Sequence, residues 1–145
     1  MPARTFLDPF KPNLKPADEP LVMIKRSFVE TLDGAHRSLL CQSDHWVHIT
    51  GLQPRNLDGD IKEQAQDALA RLDEVMAAAG ITQAKLFTVT IWLKDMRYFS
   101  GLNAVWNAWV DPANPPARTC VSGELYRPDL LLEIVAVGFH SESKS

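Results

Sequence analysis

From Ile61 to Ala79, apolar side chains recur at Ile61, Ala65, Ala68, Leu69, Leu72, Val75, Met76 and Ala79, in steps of three and four with adjacent pairs. That spacing predicts a helix with one apolar stripe. The opposite side carries Lys62, Glu63, Gln66, Asp67, Arg71 and Glu74. Asp58 or Asp60 can cap the start, and Gly80 stands where a left-handed residue ends a helix. A helix with one apolar stripe needs a second apolar surface to lie on, and the flanking segments supply it as strands.

Trp46 to Thr50 alternates apolar and polar and pairs with Arg37 to Cys41 as a hairpin candidate across the polar turn Gln42-Ser43-Asp44-His45. Leu21 to Val29 alternates weakly and is a candidate first strand, ahead of the turn signal Asp33-Gly34. Leu86 to Leu93 is rich in Val, Ile, Thr, Phe and Trp and partly apolar on both alternating sets, which predicts a central strand. Met96 to Val110 reads as a second helix, with Phe99, Leu102, Val105, Trp106 and Trp109 on its buried face and Pro112, Pro115 and Pro116 beyond its end. Arg118 to Leu125 and Leu130 to Val137 complete the strands. The expected class is α+β: a mixed sheet with two helices packed on one face. Two helices cannot cover both faces of such a sheet, so the bare face predicts a homo-oligomer.

At 145 residues the chain suits one domain, expected over 23–140. Residues 1–22 hold five of the ten prolines and are expected to form an extended arm; 141–145 form a polar tail. A net charge of −3 with no basic run argues against a nucleic-acid partner. The apolar runs are too short to span a bilayer, and the start lacks a signal-peptide pattern, so no membrane partner is expected and the location reads as cytoplasmic. Cys41 and Cys120 are then free thiols.

The common catalytic signatures are missing. There is no G-x-S-x-G elbow, no phosphate-binding glycine loop and no dinucleotide fingerprint. The four histidines, His36, His45, His48 and His140, form no metal-ligand pattern, so no metal is expected. What remains is Pro116-Ala117-Arg118-Thr119-Cys120-Val121, where a guanidinium stands at a strand start behind a proline-rich loop, and Glu133 inside the apolar run 130–137. Guanidinium is a planar fork suited to a carboxylate. A carboxylate in an apolar run is costly unless it is paired or used. If the last two strands pair as a hairpin, Arg118 and Glu133 lie near one end of one ladder. Two readings stand: a structural ion pair tying the strands, or a grip for a substrate carboxylate with a nearby acid–base group.

In order along the chain, these segments resemble the Rid/YjgF family of reactive-intermediate deaminases: Trp46-Val47-His48-Ile49-Thr50-Gly51, Gly59-Asp60-Ile61-Lys62-Glu63-Gln64-Ala65, Ala78-Ala79-Gly80, Thr90-Ile91-Trp92-Leu93-Lys94-Asp95-Met96, Phe99, Asn103, Pro116-Ala117-Arg118-Thr119-Cys120-Val121 and Glu133-Ile134. The resemblance covers about Arg37 to Gly138. It implies a chorismate-mutase-like fold and a homotrimer with clefts between subunits. It also implies hydrolysis of enamines and imines of 2-amino acids to 2-keto acids and ammonia, with no cofactor. By the same resemblance Arg118 binds the substrate carboxylate and Glu133 positions water or shuttles a proton. Asn103, Cys120, Thr50 and Gly51 line the cleft. Some relatives are described as translation inhibitors or ribonucleases, so the alternative is a non-catalytic carboxylate-binding, chaperone or regulatory trimer. Where the family commonly has a Gly-Pro-Tyr-like stretch, this chain has His36-Arg37-Ser38. Arg37 is then either an exposed strand residue or a second guanidinium in the cleft, suited to a dicarboxylate of the aminomuconate type.

Overall fold

The computed structural model describes residues 23–140. The proposed arm and tail lie outside the described residues. Strands β1 (Lys25–Leu32), β2 (Ala35–Gln42) and β3 (Trp46–Leu52) precede helix α1 (Ile61–Ala79). Then follow β4 (Leu86–Leu93), α2 (Phe99–Trp109), β5 (Ala117–Ser122) and β6 (Leu132–Phe139). The six strands form one sheet in the order β1-β2-β3-β6-β4-β5. All neighbours are antiparallel except β4 and β5, which run parallel with α2 as their crossover. No helix among the described residues is long and apolar enough to cross a membrane.

Helix α1 has the bounds its stripe predicts. Of the two candidate caps, Asp60 serves: its side chain accepts from the Glu63 amide at 3.0 Å, while the Glu63 carboxylate accepts from the Asp60 amide at 2.8 Å. Gly80 closes the helix at φ 74°. An Asp60→Ala variant is expected to lose about 1 kcal/mol of stability, read from its urea unfolding midpoint. Buried Gln64 ties α1 to the loop before β6, donating to Asp129 O at 2.9 Å and accepting from the Leu131 amide at 2.9 Å.

The second helix starts later than its periodicity suggests. Met96–Tyr98 form a 3-10 turn, with the Asp95 side chain accepting from the Arg97 amide at 2.8 Å. The α-helix proper begins at Phe99. Gly101 lets it close on α1, since a Cβ there would stand 2.7 Å from Ile61 Cγ2.

The strands alternate strictly at the centre. Val47, Ile49, Val89, Ile91, Leu93, Leu132, Ile134 and Ala136 point to the helices and are at most 1% exposed. They meet the α1 stripe and Leu102, Val105 and Trp106 of α2 in one core. The other face has no helix. It leaves Trp46, Phe87, Trp92 and Phe139 between 36% and 57% exposed, with Trp46 edge-on to Phe87 at 6.0 Å. Both helices therefore lie on one face, as expected.

Two expectations need correction. Leu21 and Val22 of the expected first strand lie outside the described residues. Among those described it runs Lys25–Leu32 instead of ending at Val29, because its limits come from pairing with β2 around Asp33-Gly34 and its alternation is broken by Phe28 at φ 52°. The last two strands do not form a hairpin: β4 lies between β5 and β6, and each pairs with it instead. A loop between strands does not dictate that they be neighbours when a third strand can pair with both. The same strands are also shorter at one end or shifted, since Gly123 follows Ser122 out of the ladder and β6 runs on to Phe139.

Candidate active site

Strand β5 places Arg118 opposite Val89 and Cys120 opposite Ile91, so both side chains face the helix layer. There α2 meets Arg118. Nη2 donates to Asn103 Oδ1 at 2.8 Å. The guanidinium carbon lies 5.2 Å from the Trp106 ring centre and 5.7 Å from that of Phe99. Nη1 is buried and has no hydrogen-bond partner among the described residues. Among those residues no carboxylate pairs with Arg118, so the expected structural pair with Glu133 is not formed. A buried, unpaired guanidinium N–H is costly, and its planar neighbour Nη2 is already oriented. That leaves one guanidinium donor without an acceptor among the described residues.

Cys120 sits beside it. Burial pushes its thiol up from the ordinary value, against a smaller opposite pull from the Arg118 charge. That shift disfavours the thiolate a nucleophile would need.

Glu133 is elsewhere. It pairs with Trp92 on β4 and so points to the open face, the opposite side of the sheet from Arg118. Near it, Gln53 Nε2 approaches Glu133 Oε1 at 3.4 Å. Gly51 occupies a bulge in β3 at φ 59°. A Cβ at Gly51 would overlap Arg37 Nη1 and stand 3.2 Å from Glu133 Oε1. Thr50 is exposed next to it. Arg37 is not a solvent-facing strand residue: its side chain is 19% exposed, and its Nε and Nη2 both donate to Glu30 Oε1, at 3.0 and 2.6 Å. Arg71 of α1 stands 3.9 Å from Glu30 Oε2 and donates to Gln53 O at 3.0 Å. A Gly51→Ala variant is expected to lose about 1–3 kcal/mol from the positive φ alone and to displace Arg37 or Glu133, measured as a lower thermal midpoint with reduced activity.

The candidate residues thus divide into two groups. Arg118, Asn103 and Cys120 stand together on the helix side of the β5 edge. Glu133, Gly51, Thr50 and Arg37 gather near β3 and β6. One chain does not bring the two groups together. A concavity of about 440 Å³ between α1 and α2, lined by residues such as Lys62, Asp73 and Trp109, touches neither. Among the described residues no cluster of three or more His, Cys, Asp or Glu could hold a metal ion.

Sequence reasoning missed Glu30, Gln53 and Arg71, and took the Trp106 and Phe99 rings for core alone. The turn at Asp33-Gly34 carried a signal for Glu30: a hairpin centred there sets it opposite Arg37, as observed. Arg71 gave none, because it falls on the polar side of α1.

Comparison with known proteins agrees with this architecture. The model of the family described as endoribonuclease L-PSP matches residues 35–139. The RutC family protein YoaB of Escherichia coli is 35% identical over 91 residues, covering 63% of this chain and 79% of YoaB. A RutC family protein of Haemophilus influenzae is 29% identical over 107 residues, covering 73% of this chain and 92% of its own. Among solved structures, a YjgF family member from Neisseria meningitidis superposes with a TM-score of 0.74 at 28% identity, covering 84% of this chain and 98% of that one. A protein from Salmonella typhimurium described as a putative translation initiation inhibitor gives 0.71 at 29% identity, covering 82% and 99%. With matching segments, fold and relatives in accord, the chain belongs to the endoribonuclease L-PSP family, the family of the RutC and Rid/YjgF proteins.

Proposed function

We propose that the protein hydrolyses reactive enamines and imines bearing a carboxylate, releasing a 2-keto acid and ammonia. The observation that carries this reading is Arg118: a guanidinium fixed by Asn103 and two rings, with a buried N–H donor that meets no partner. A substrate carboxylate would supply that acceptor through a two-point contact. Dicarboxylates of the aminomuconate type fall inside this class.

The chemistry asks little more. An enamine first gains a proton at C3 to become a protonated imine. Protonated at nitrogen, the imine is electrophilic at C2. A water attacks C2 while a carboxylate oxygen of Glu133 takes its proton. The resulting carbinolamine loses ammonia as that proton passes to nitrogen. The hydroxyl collapses to the keto group while Glu133 takes the hydroxyl proton, which leaves with ammonia as ammonium. Water is consumed, and no redox partner is needed. Holding the anion and the water in place accounts for the catalysis.

Arg118 and Glu133 face opposite sides of one sheet, so the site needs Glu133 of one copy beside Arg118 of the next. The exposed aromatic face is the surface such an assembly would cover. We take the assembly to be a homotrimer with three shared clefts, working in the cytoplasm, where the two free cysteines would stay reduced. The acidic chain, with a net charge of −3, is poorly suited to a phosphate backbone. The test is ammonia release from imines generated in situ by an amino-acid oxidase. Release no faster than in buffer would remove the enzymatic reading and leave carboxylate binding.

A further inference from the structure

We propose that Arg37 forms a second anion subsite beside Glu133, and that the preferred substrates are imines of amino dicarboxylates. The proposal rests on the deaminase reading above and deepens it.

Arg37 is held as a ligand-binding arginine would be. The Asp33-Gly34 hairpin places Glu30 opposite it. Glu30 Oε1 accepts from Nε and Nη2, and Arg71 of α1 flanks the other oxygen of the same carboxylate. Arg71 is itself anchored on the Gln53 carbonyl. The guanidinium is therefore oriented before any ligand arrives, and little rotamer freedom remains to be lost on binding. A pair serving only to tie β1 to β2 would end there. Here Nη1 is turned away from Glu30 and packs closely on Gly51, and it makes no hydrogen bond with any described residue. It stops short of Glu133 too: Arg37 forms its ion pair with Glu30 and none with Glu133. A Cβ at position 51 would overlap Nη1 and stand 3.2 Å from Glu133 Oε1, so only glycine lets the two groups stand this close. A ligand group reaches Nη1 through the 19% of the Arg37 side chain that stays exposed.

Charge selects the class of that group. Arg37, Arg71 and Arg118 of the neighbouring copy carry three positive charges; Glu30 and Glu133 carry two negative ones. The assembled site is therefore positive by one. A protonated imine with one carboxylate is neutral and leaves that charge unmatched. A protonated imine with two carboxylates carries one negative charge and balances it. The first carboxylate goes to Arg118, and the second to Nη1 of Arg37.

The test compares 2-iminoglutarate, made in situ by glutamate oxidase, with the imine of methionine made by an amino-acid oxidase. The wild-type protein is expected to favour the dicarboxylate by at least about ten-fold in kcat/KM. In Arg37→Met, which keeps an apolar stem, that ratio is expected to fall by about ten- to a hundred-fold, and Arg37→Lys is expected to recover part of it. A wild-type protein without preference, or equal losses on both substrates in a variant that melts like the wild type, would overturn the proposal. Should the wild type hydrolyse neither imine, the deaminase reading fails by itself, and calorimetry then decides on Arg37. Weaker binding of 2-oxoglutarate, but not of 2-oxobutyrate, in Arg37→Met would uphold the subsite; equal binding would overturn it.

Discussion

Replacing Arg118 with alanine is expected to lower kcat/KM for imine hydrolysis by about 10²- to 10⁴-fold, the loss of two charge-assisted hydrogen bonds to one carboxylate. Arg118→Lys should fall between this variant and the wild type. It keeps the charge, but it loses both the fork that bonds Asn103 and the carboxylate together and the planar contact with Trp106 and Phe99. Because the carboxylate is gripped before and during the reaction, the loss should appear more in KM than in kcat. The variant should still fold: Arg118 sits on an edge strand, and among the described residues no carboxylate depends on it. Unchanged ammonia release in Arg118→Ala would end the proposed role of this residue.

The parts of this fold that were legible in the sequence are those decided locally. The α1 stripe fixed that helix to the residue, because apolar spacing, capping box and terminal glycine all lie within it. Leu86–Leu93 was equally plain, since a strand flanked on both sides needs β-branched and aromatic residues throughout. The order of the strands was not legible. Nothing near Arg118 or Glu133 records that β4 inserts between their strands, because that pairing is made with residues far away along the chain. The consequence for the site is large. Alternation within a strand tells which neighbours share a face, but not which face. Arg118 and Glu133 therefore read as candidate partners when they stand on opposite sides of the sheet. Arg37 shows the reverse case. Its environment was half-written in the Asp33-Gly34 turn, which sets Glu30 against it, yet the approach of Gly51 and Arg71 depends on tertiary structure.

That separation of faces leads to a result that a site contained within one chain could not give. Arg118→Ala and Glu133→Ala should each be nearly inactive alone. Mixed after mild denaturation and reassembly, they should regain about one quarter of wild-type activity. In a shared cleft one copy gives the guanidinium and its neighbour the carboxylate. In an equal mixture, half the copies keep Arg118 and half keep Glu133. About one interface in four then joins an intact Arg118 to an intact Glu133. Native mass measurement should show assemblies of three chains, each of 16.2 kDa. The recovered activity should vanish when either variant is present in large excess, because mixed interfaces become rare. A site built within one chain predicts no recovery at any ratio, since every copy lacks one of the two groups. Persistent inactivity in verified mixed trimers would therefore refute the shared cleft, while leaving the unmet donor of Arg118 to be explained by some other anion.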